Sequence, residues 1–284
     1  MNKVMIIADS TVDLTQDMYE KNNIRVVPLS VRFGEDVYLD NVTIVPDELY
    51  AKVSEKGELP KTAAIPPQTL IDVFKEYIDQ SYDILFTGIG AKMSSTIQSA
   101  IIASNDFPEG RVFVLNSDNL STGTGLLVLK MAKLRDEGKS AKEIYDEVSS
   151  LVSKVSAQFA VDTLEYLHKG GRCSGASKLF GTLFHIHPII KVVEGGMIVY
   201  KKPRGAYKAA LNELVAEIQN DYPNIDLDNV MITHSGLDEN LINYLANEVG
   251  KIVGDDKIRI TRAGCVISSH CGPGTIGVLY IKNK

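Results

Sequence analysis

DILFTGIGAKMSSTIQSA, residues 83–100, runs from a short apolar stretch through a glycine pair into residues with helical spacing. DILFTG at 83–88 has the length and composition of a buried strand, and STIQSAIIAS at 95–104 continues as a helix. The same alternation surrounds it. VMIIAD at 4–9 and RVFVLNS at 111–117 read as further strands, while QTLIDVFKEYID at 68–79, GTGLLVLKMAKLRDEG at 123–138 and AKEIYDEVSSLVSKV at 141–155 read as helices. Strands alternating with helices predict an α/β unit with a mostly parallel sheet, whose strand carboxyl ends collect ligands.

The second half has a different rhythm. IIKVVEG and GMIVYKK, within 189–202, lie close enough to pair as a hairpin around Gly195-Gly196. A helix at about 206–220, a strand VMITHS at 230–235, a helix at about 238–250 and strands near 257–261 and 276–282 follow. This order predicts an α+β unit with a mixed or antiparallel sheet. At 284 residues the chain has the length of two domains. The expected division is 1–155 and 156–284, placed where helical charge patterning gives way to FAVDTLEYL, with the two domains closely packed.

Composition narrows the function classes. A net charge of −6 argues against a nucleic-acid binder. No apolar run is long enough to cross a bilayer, and the opening residues lack a signal-peptide pattern, so a cytoplasmic location is expected. The three cysteines, Cys173, Cys265 and Cys271, are too few for a disulfide framework.

Three segments carry candidate binding chemistry. In TGIGAKMSSTIQSA at 87–100, Ser94, Ser95 and Thr96 stand at a helix start, where free amides, the helix dipole and hydroxyls converge on an anion or carboxylate. An ordinary serine N-cap uses the same residues. The third glycine of a dinucleotide fingerprint is replaced by Met93, and no phosphate loop of the GxxxxGK[ST] type occurs. In LPKTAAIPPQTL at 59–70, Thr62 sits in a proline-bracketed loop and can donate to the same anion or serve simply as a turn residue. In GCVISSHCGPGTIGVLY, His270 stands on an expected loop before Gly272-Pro273-Gly274, as a carboxylate donor or as a plain surface histidine.

LHKGGRCSGASKLFG at 167–181 mimics a nucleophile elbow with Cys173 in the serine position, but the preceding segment reads as helix where an elbow needs a strand. His185 and His187 match no metal-ligand spacing, so no metal site is assigned. Arg172, flanked by glycine, presents a planar fork suited to phosphate.

Taken together these segments resemble the DegV family, whose members serve as fatty-acid-binding subunits of bacterial fatty acid kinase. The resemblance is carried by IIADSTVDLT at 6–15, PKTAAIPPQ at 60–68, GAKMSSTIQSA at 90–100, DTLEYLHKGGRCSGASKLFGTLFHIHPII at 162–190, YKKPRGAYKA at 200–209 and SSHCGPGTIGVLY at 268–280. It implies a ligand-binding component rather than an enzyme, with no cofactor beyond the bound fatty acid, whose acyl chain would lie in a slot between the two domains. Thr62, Ser94, Ser95 and His270 would surround the carboxylate of a long-chain fatty acid, and Arg172 and Arg204 would face the kinase partner and the transferred phosphate. The acyl-phosphate formed would then pass to an acyltransferase of phospholipid synthesis, with transient contact at a membrane surface.

The chemistry is coherent. Burying ~14 methylenes at about 0.8 kcal/mol each contributes on the order of 10 kcal/mol before ordering costs. A carboxylate that must attack phosphorus is better held by neutral hydroxyls and amides than by a salt-bridged arginine. Three departures from the family pattern stand out. Ser94-Ser95-Thr96-Ile97-Gln98 replaces the usual glycine and tyrosine of SGTYQ, which reduces the expected backbone freedom at Ser95. Cys173 stands where isoleucine is usual, and His185 and His187 stand where asparagine and lysine are more common. Two other readings remain open: a stand-alone phosphotransferase on a small hydroxy or keto substrate, and a lipid sensor that acts without a kinase.

Overall fold

The computed structural model describes residues 2–179 and 186–283. In its first half the strands are β1 (Lys3–Asp9), β2 (Ile24–Val27), β3 (Ser30–Phe33), β4 (Asp36–Leu39), β5 (Lys61–Ala63), β6 (Tyr82–Gly88) and β7 (Val112–Asn116). The second half adds β8 (Val155–Ala160), β9 (Cys173–Ser174), β10 (Ile189–Val193), β11 (Gly196–Lys201), β12 (Val230–His234), β13 (Ile258–Arg262) and β14 (Ile276–Ile281). The helices are α1 (Gln16–Lys21), α2 (Pro46–Lys56), α3 (Pro67–Ile78), α4 (Thr96–Ser104), α5 (Ser121–Asp136) and α6 (Ala141–Ser149). They continue with α7 (Glu165–Gly170), α8 (Ala176–Leu179), α9 (Tyr207–Asp221), α10 (Glu239–Val253) and α11 (Cys265–Cys271).

The expected α/β architecture is present. A parallel sheet of order β2-β1-β6-β7 lies beside a mixed seven-stranded sheet of order β13-β12-β14-β8-β10-β11-β9. In the parallel sheet, strand alternation sends Met5, Ile7, Ile84 and Phe86 toward α3 and α4, and Val4, Ile6, Ala8 and Leu85 toward α5 and α6. In the mixed sheet, β8 turns Val155, Ala157 and Phe159 to the core shared with α5, and Ala160 to the core under α9 and α10. Helix α5 is therefore the filling between the sheets, touching β1 and β6 on one side and β8, β12 and β14 on the other. Its two glycines permit that approach: a β-carbon at Gly123 would collide with the Asn119 side chain, and one at Gly125 would lie 2.7 Å from the Val12 carbonyl oxygen.

The hairpin around Gly195-Gly196 forms as expected, with β10 and β11 antiparallel. Two expectations are corrected. Thr62 lies on β5, a strand of a small antiparallel sheet of order β4-β3-β5, and not in a loop. His270 lies in the last turn of α11, and not on a loop. The strands at 24–63 and the helix α2 also fall where the sequence suggested no regular element. The strands are only three to four residues long; β3 and β4 form a short hairpin, and β5 acquires its pairing from the distant β3, Thr62 opposite Val31. His185 lies outside the described residues. Among the described residues no helix is long and apolar enough to cross a membrane.

Helix α11 owes its position to buried carboxylates. Asp13 accepts from the Gly264 amide (2.8 Å) and the Ser121 hydroxyl, while Asp40 accepts from the Cys265 amide (2.7 Å) and the Ser10 hydroxyl (2.7 Å). Asp9 accepts from Thr11 and from the Ile89 amide. Burial pushes Asp9 and Asp40 up to about 6 and Asp13 well above the carboxylate range, with the hydrogen bonds opposing that rise. A raised carboxyl contributes its full stability below the unfolded value of about 4 and loses it as pH rises through the folded value. We therefore expect the unfolding free energy of the native chain, relative to Asp40→Asn, to improve by on the order of 2–3 kcal/mol as pH falls from about 7 to about 4. Paired denaturant titrations across that window measure it; a constant difference would show that Asp40 titrates normally.

Candidate functional site

The connection between β2 and β3, the turn from β6 to α4, the residue before α5, and strands β5 and β11 with helix α11 enclose a cavity of about 270 Å3 at the seam between two apolar cores. Its deep walls are Leu29, Ile89, Met93, Leu120, Val266 and Ile267. Its polar end is formed by Thr62, Ser94, Ser95, His270 and Arg172. Four segments separated by up to 208 positions thus meet at one point, because β5 and α11 are packed against each other.

Thr62 Oγ1 lies 2.8 Å from His270 Nε2. The other ring nitrogen, Nδ1, is buried with no hydrogen-bond partner among the described residues, and Gly170 packs over it so closely that a β-carbon there would fall 2.6 Å away. An orphaned lone pair is less costly than an orphaned N–H, so the tautomer with hydrogen on Nε2 is favoured. Nε2–H then donates to Thr62, whose own hydroxyl hydrogen is left to point into the cavity. Burial, with the Arg172 guanidinium adding to it, pushes His270 down to about 4. The histidine is a neutral donor at neutral pH.

On the opposite wall Ser94 Oγ lies 3.0 Å from Thr96 Oγ1 and accepts weakly from the Thr96 amide at 3.3 Å. Ser94 is thus held at the first turn of α4 by its own helix start. Ser95 is the N-cap position but makes no side-chain cap bond, so its exposed hydroxyl lines the mouth. Its φ of −82° is open to any residue, and serine replaces glycine there without strain.

Arg172 is exposed and donates to the Gly170 carbonyl oxygen. It stands between the apolar cavity and an outer groove of about 480 Å3 lined also by Lys61, Lys169 and Gly170, with Thr62 and His270 forming the shared wall. Lys61 and Lys169 line only the groove, Ser94 and Ser95 only the cavity, and Arg172, Thr62 and His270 border both. Arg204 is exposed, forms an isolated antiparallel bridge with Ile186, and does not line either space. The apolar lining residues and the outer lysines carried no sequence signal, since each comes singly from an ordinary strand, turn or helix.

The remaining sequence candidates have structural roles. Cys173 is buried, follows α7 rather than a strand, and its thiol is pushed up to about 11 by burial. His187 packs edge-on against Tyr207, with ring centroids 4.9 Å apart. No group of metal-ligating side chains occurs among the described residues.

Comparison with known proteins gives a consistent match over the whole chain. The DegV family profile, described as "Uncharacterised protein, DegV family", matches residues 3–283. A DegV domain-containing protein of Clostridium acetobutylicum is 32% identical over 282 residues, 99% of each chain. Among solved structures, a fatty-acid-binding DegV family protein from Thermus thermophilus superimposes with a TM-score of 0.90 at 33% identity, covering 99% of this chain and 100% of the other. A Thermotoga maritima protein whose structure revealed a fatty acid binding function gives a TM-score of 0.86 at 27% identity, covering 99% and 100%. The chain belongs to the DegV family.

Proposed function

We propose that this chain binds one long-chain fatty acid, with the acyl chain in the apolar cavity and the carboxylate at Thr62, Ser94, Ser95 and His270, and presents it to a fatty acid kinase. The observation that carries this reading is the Thr62–His270 pair at the polar end of an otherwise apolar cavity. Neutral donors at the end of a hydrocarbon-lined space suit a carboxylate with a long tail, and the binding described for the Thermus thermophilus relative has the same ligand class. The residues 1–155 and 156–284 act as the two walls of the slot.

The kinase would transfer the γ-phosphate of ATP to the bound carboxylate. One carboxylate oxygen forms the new bond to phosphorus, ADP leaves, and the acyl-phosphate stays on this chain until an acyltransferase of phospholipid synthesis collects it. The outer groove supports this division of labour, because Lys61 and Lys169 line the groove and not the cavity, and Arg172 stands at the border of the two. Arg172 faces the phosphate, and Arg204, exposed on the same half of the chain, meets the kinase. The chain itself carries out no complete reaction.

Fatty acid should be recovered by mass spectrometry from the denatured chain after purification from cells. Thr62→Ala and Ser94→Ala should each weaken binding about tenfold or more, as expected for a hydrogen bond to a charged group. Titration with a fluorescent fatty acid checks this; unchanged affinity in the double variant would remove these residues from the site. Gly170→Ala pushes a methyl group into the His270 ring and should weaken the same binding while leaving the fold intact, as judged by circular dichroism. Addition of a fatty acid kinase and ATP should yield acyl-phosphate, trapped as the hydroxamate, and Arg172→Ala should lower that yield while fatty acid binding persists.

A further inference from the structure

The outer groove shares Thr62 and His270 with the cavity and is otherwise built for negative charge. Lys61, Lys169 and Arg172 line it, and no carboxylate is among the described residues of its lining. The rest of the chain behaves differently. Its net charge is −6, and two other large clefts set cations beside acids: Lys130 and Lys133 stand with Asp226 and Asp228 in one, and Arg262 stands with Asp238 and Glu239 in the other.

Lys61 gains nothing from its own strand. It pairs on the β3–β5 ladder directly opposite Arg32, and like charges in that relation destabilise a sheet. Both side chains are exposed, and neither forms an ion pair among the described residues. Lys169 does have a counter-ion, Glu165 at 2.7 Å one turn back on α7, but the pair is exposed and Glu165 does not line the groove. Such a pair contributes little and yields readily. Arg172, held by its bond to the Gly170 carbonyl oxygen, borders groove and cavity alike.

Phosphorylation changes what the head-group end must hold. A phosphoryl group attached to one carboxylate oxygen raises the charge there from about −1 to about −2 and adds three strong acceptor oxygens. The inner walls of the cavity, Leu29, Val266 and Ile267 among them, offer such a group no partner. Room and opposite charge lie on the other side of the Thr62–His270 pair, in the groove.

We propose that Lys61 and Lys169, together with Arg172, hold the phosphoryl group of a long-chain acyl-phosphate in the outer groove, so that the chain retains the phosphorylated lipid more firmly than the fatty acid it came from. The inference rests on the fatty-acid reading above and gives the product contacts that the substrate does not make. Before transfer the two lysines leave the carboxylate free, since they line the groove and not the cavity.

The test uses the ligand-stripped full chain with palmitate and with 2-oxoheptadecylphosphonate, a stable analogue in which a methylene replaces the bridging oxygen of palmitoyl phosphate. Affinities are read by displacement of a fluorescent fatty acid at low and high salt. The unmodified chain should bind the phosphonate about tenfold or more tighter than palmitate, and the preference should shrink as salt rises. Lys61→Ala combined with Lys169→Ala should weaken phosphonate binding about tenfold or more and palmitate binding less than about threefold. Lys61→Arg with Lys169→Arg should keep the preference, because both side chains can pair with phosphate. Equal losses for the two ligands in the alanine variant, or no loss for the phosphonate, would overturn the proposal and leave the fatty-acid reading standing. So would an unmodified chain that binds palmitate as firmly as the phosphonate. Failure of palmitate to bind the unmodified chain would overturn that reading and this inference with it.

Discussion

Asp13 and Asp40 sit within hydrogen-bond distance of the first amides of α11, and most of the site follows from that arrangement. Each carboxylate reaches α11 from the first forty residues of the chain, across more than 220 positions. Asp13 also accepts from Ser121 at the start of α5, so the helix between the sheets and the helix carrying His270 share one acceptor. Seven residues of mixed β-branched and polar character make a poor isolated helix. Acceptors at its first turn offset that weakness, and the far end of α11 then delivers His270 to Thr62. The cost is borne by the carboxylates, whose burial raises all three.

The same economy governs charge at the ligand end. Full cations beside a carboxylate would bind it more firmly; Lys61 and Lys169 line only the outer groove, Arg172 stands at the border of groove and cavity, and the rest of the cavity's polar end is hydroxyls and a neutral imidazole. Arg172 contributes to this inward neutrality, because its guanidinium adds to the burial that holds His270 uncharged. An ion-paired carboxylate is a weaker nucleophile, whereas one held by neutral donors keeps its lone pairs available.

The sequence made some of this legible and hid the rest for physical reasons. The strand-turn-helix at 83–104 was readable because its periodicity and glycine pair are local properties, and Ser94 came with it. Thr62 and His270 were identifiable as candidates, but their elements were not. Strand β5 is three residues long and exists through pairing with β3, and α11 exists through acceptors contributed from residues 13 and 40. Both are tertiary effects that override local propensity. The apolar lining was wholly invisible: Leu29, Met93 and Met197 differ from any other core residue only in facing a space rather than a neighbour. Arg204 was found by family resemblance alone, and its exposed position gives it no contact with the cavity.

Division of the binding surface among separate elements has a thermodynamic consequence on the proposed reading. The tail provides most of the affinity, at about 0.8 kcal/mol per buried methylene, while each head-group hydrogen bond adds about 1.5–3 kcal/mol. Yet Thr62, Ser94 and His270 belong to β5, the α4 turn and α11, which are brought together only when both sheets have closed around α5. A ligand that touches all three binds the assembled state and not the open one, so it stabilises the fold by mass action. The raised carboxylates at the other end of α11 work against the same closure at neutral pH. Affinity for the tail and tension at Asp13 and Asp40 therefore act on one helix from opposite ends, and the position of His270 is where they meet.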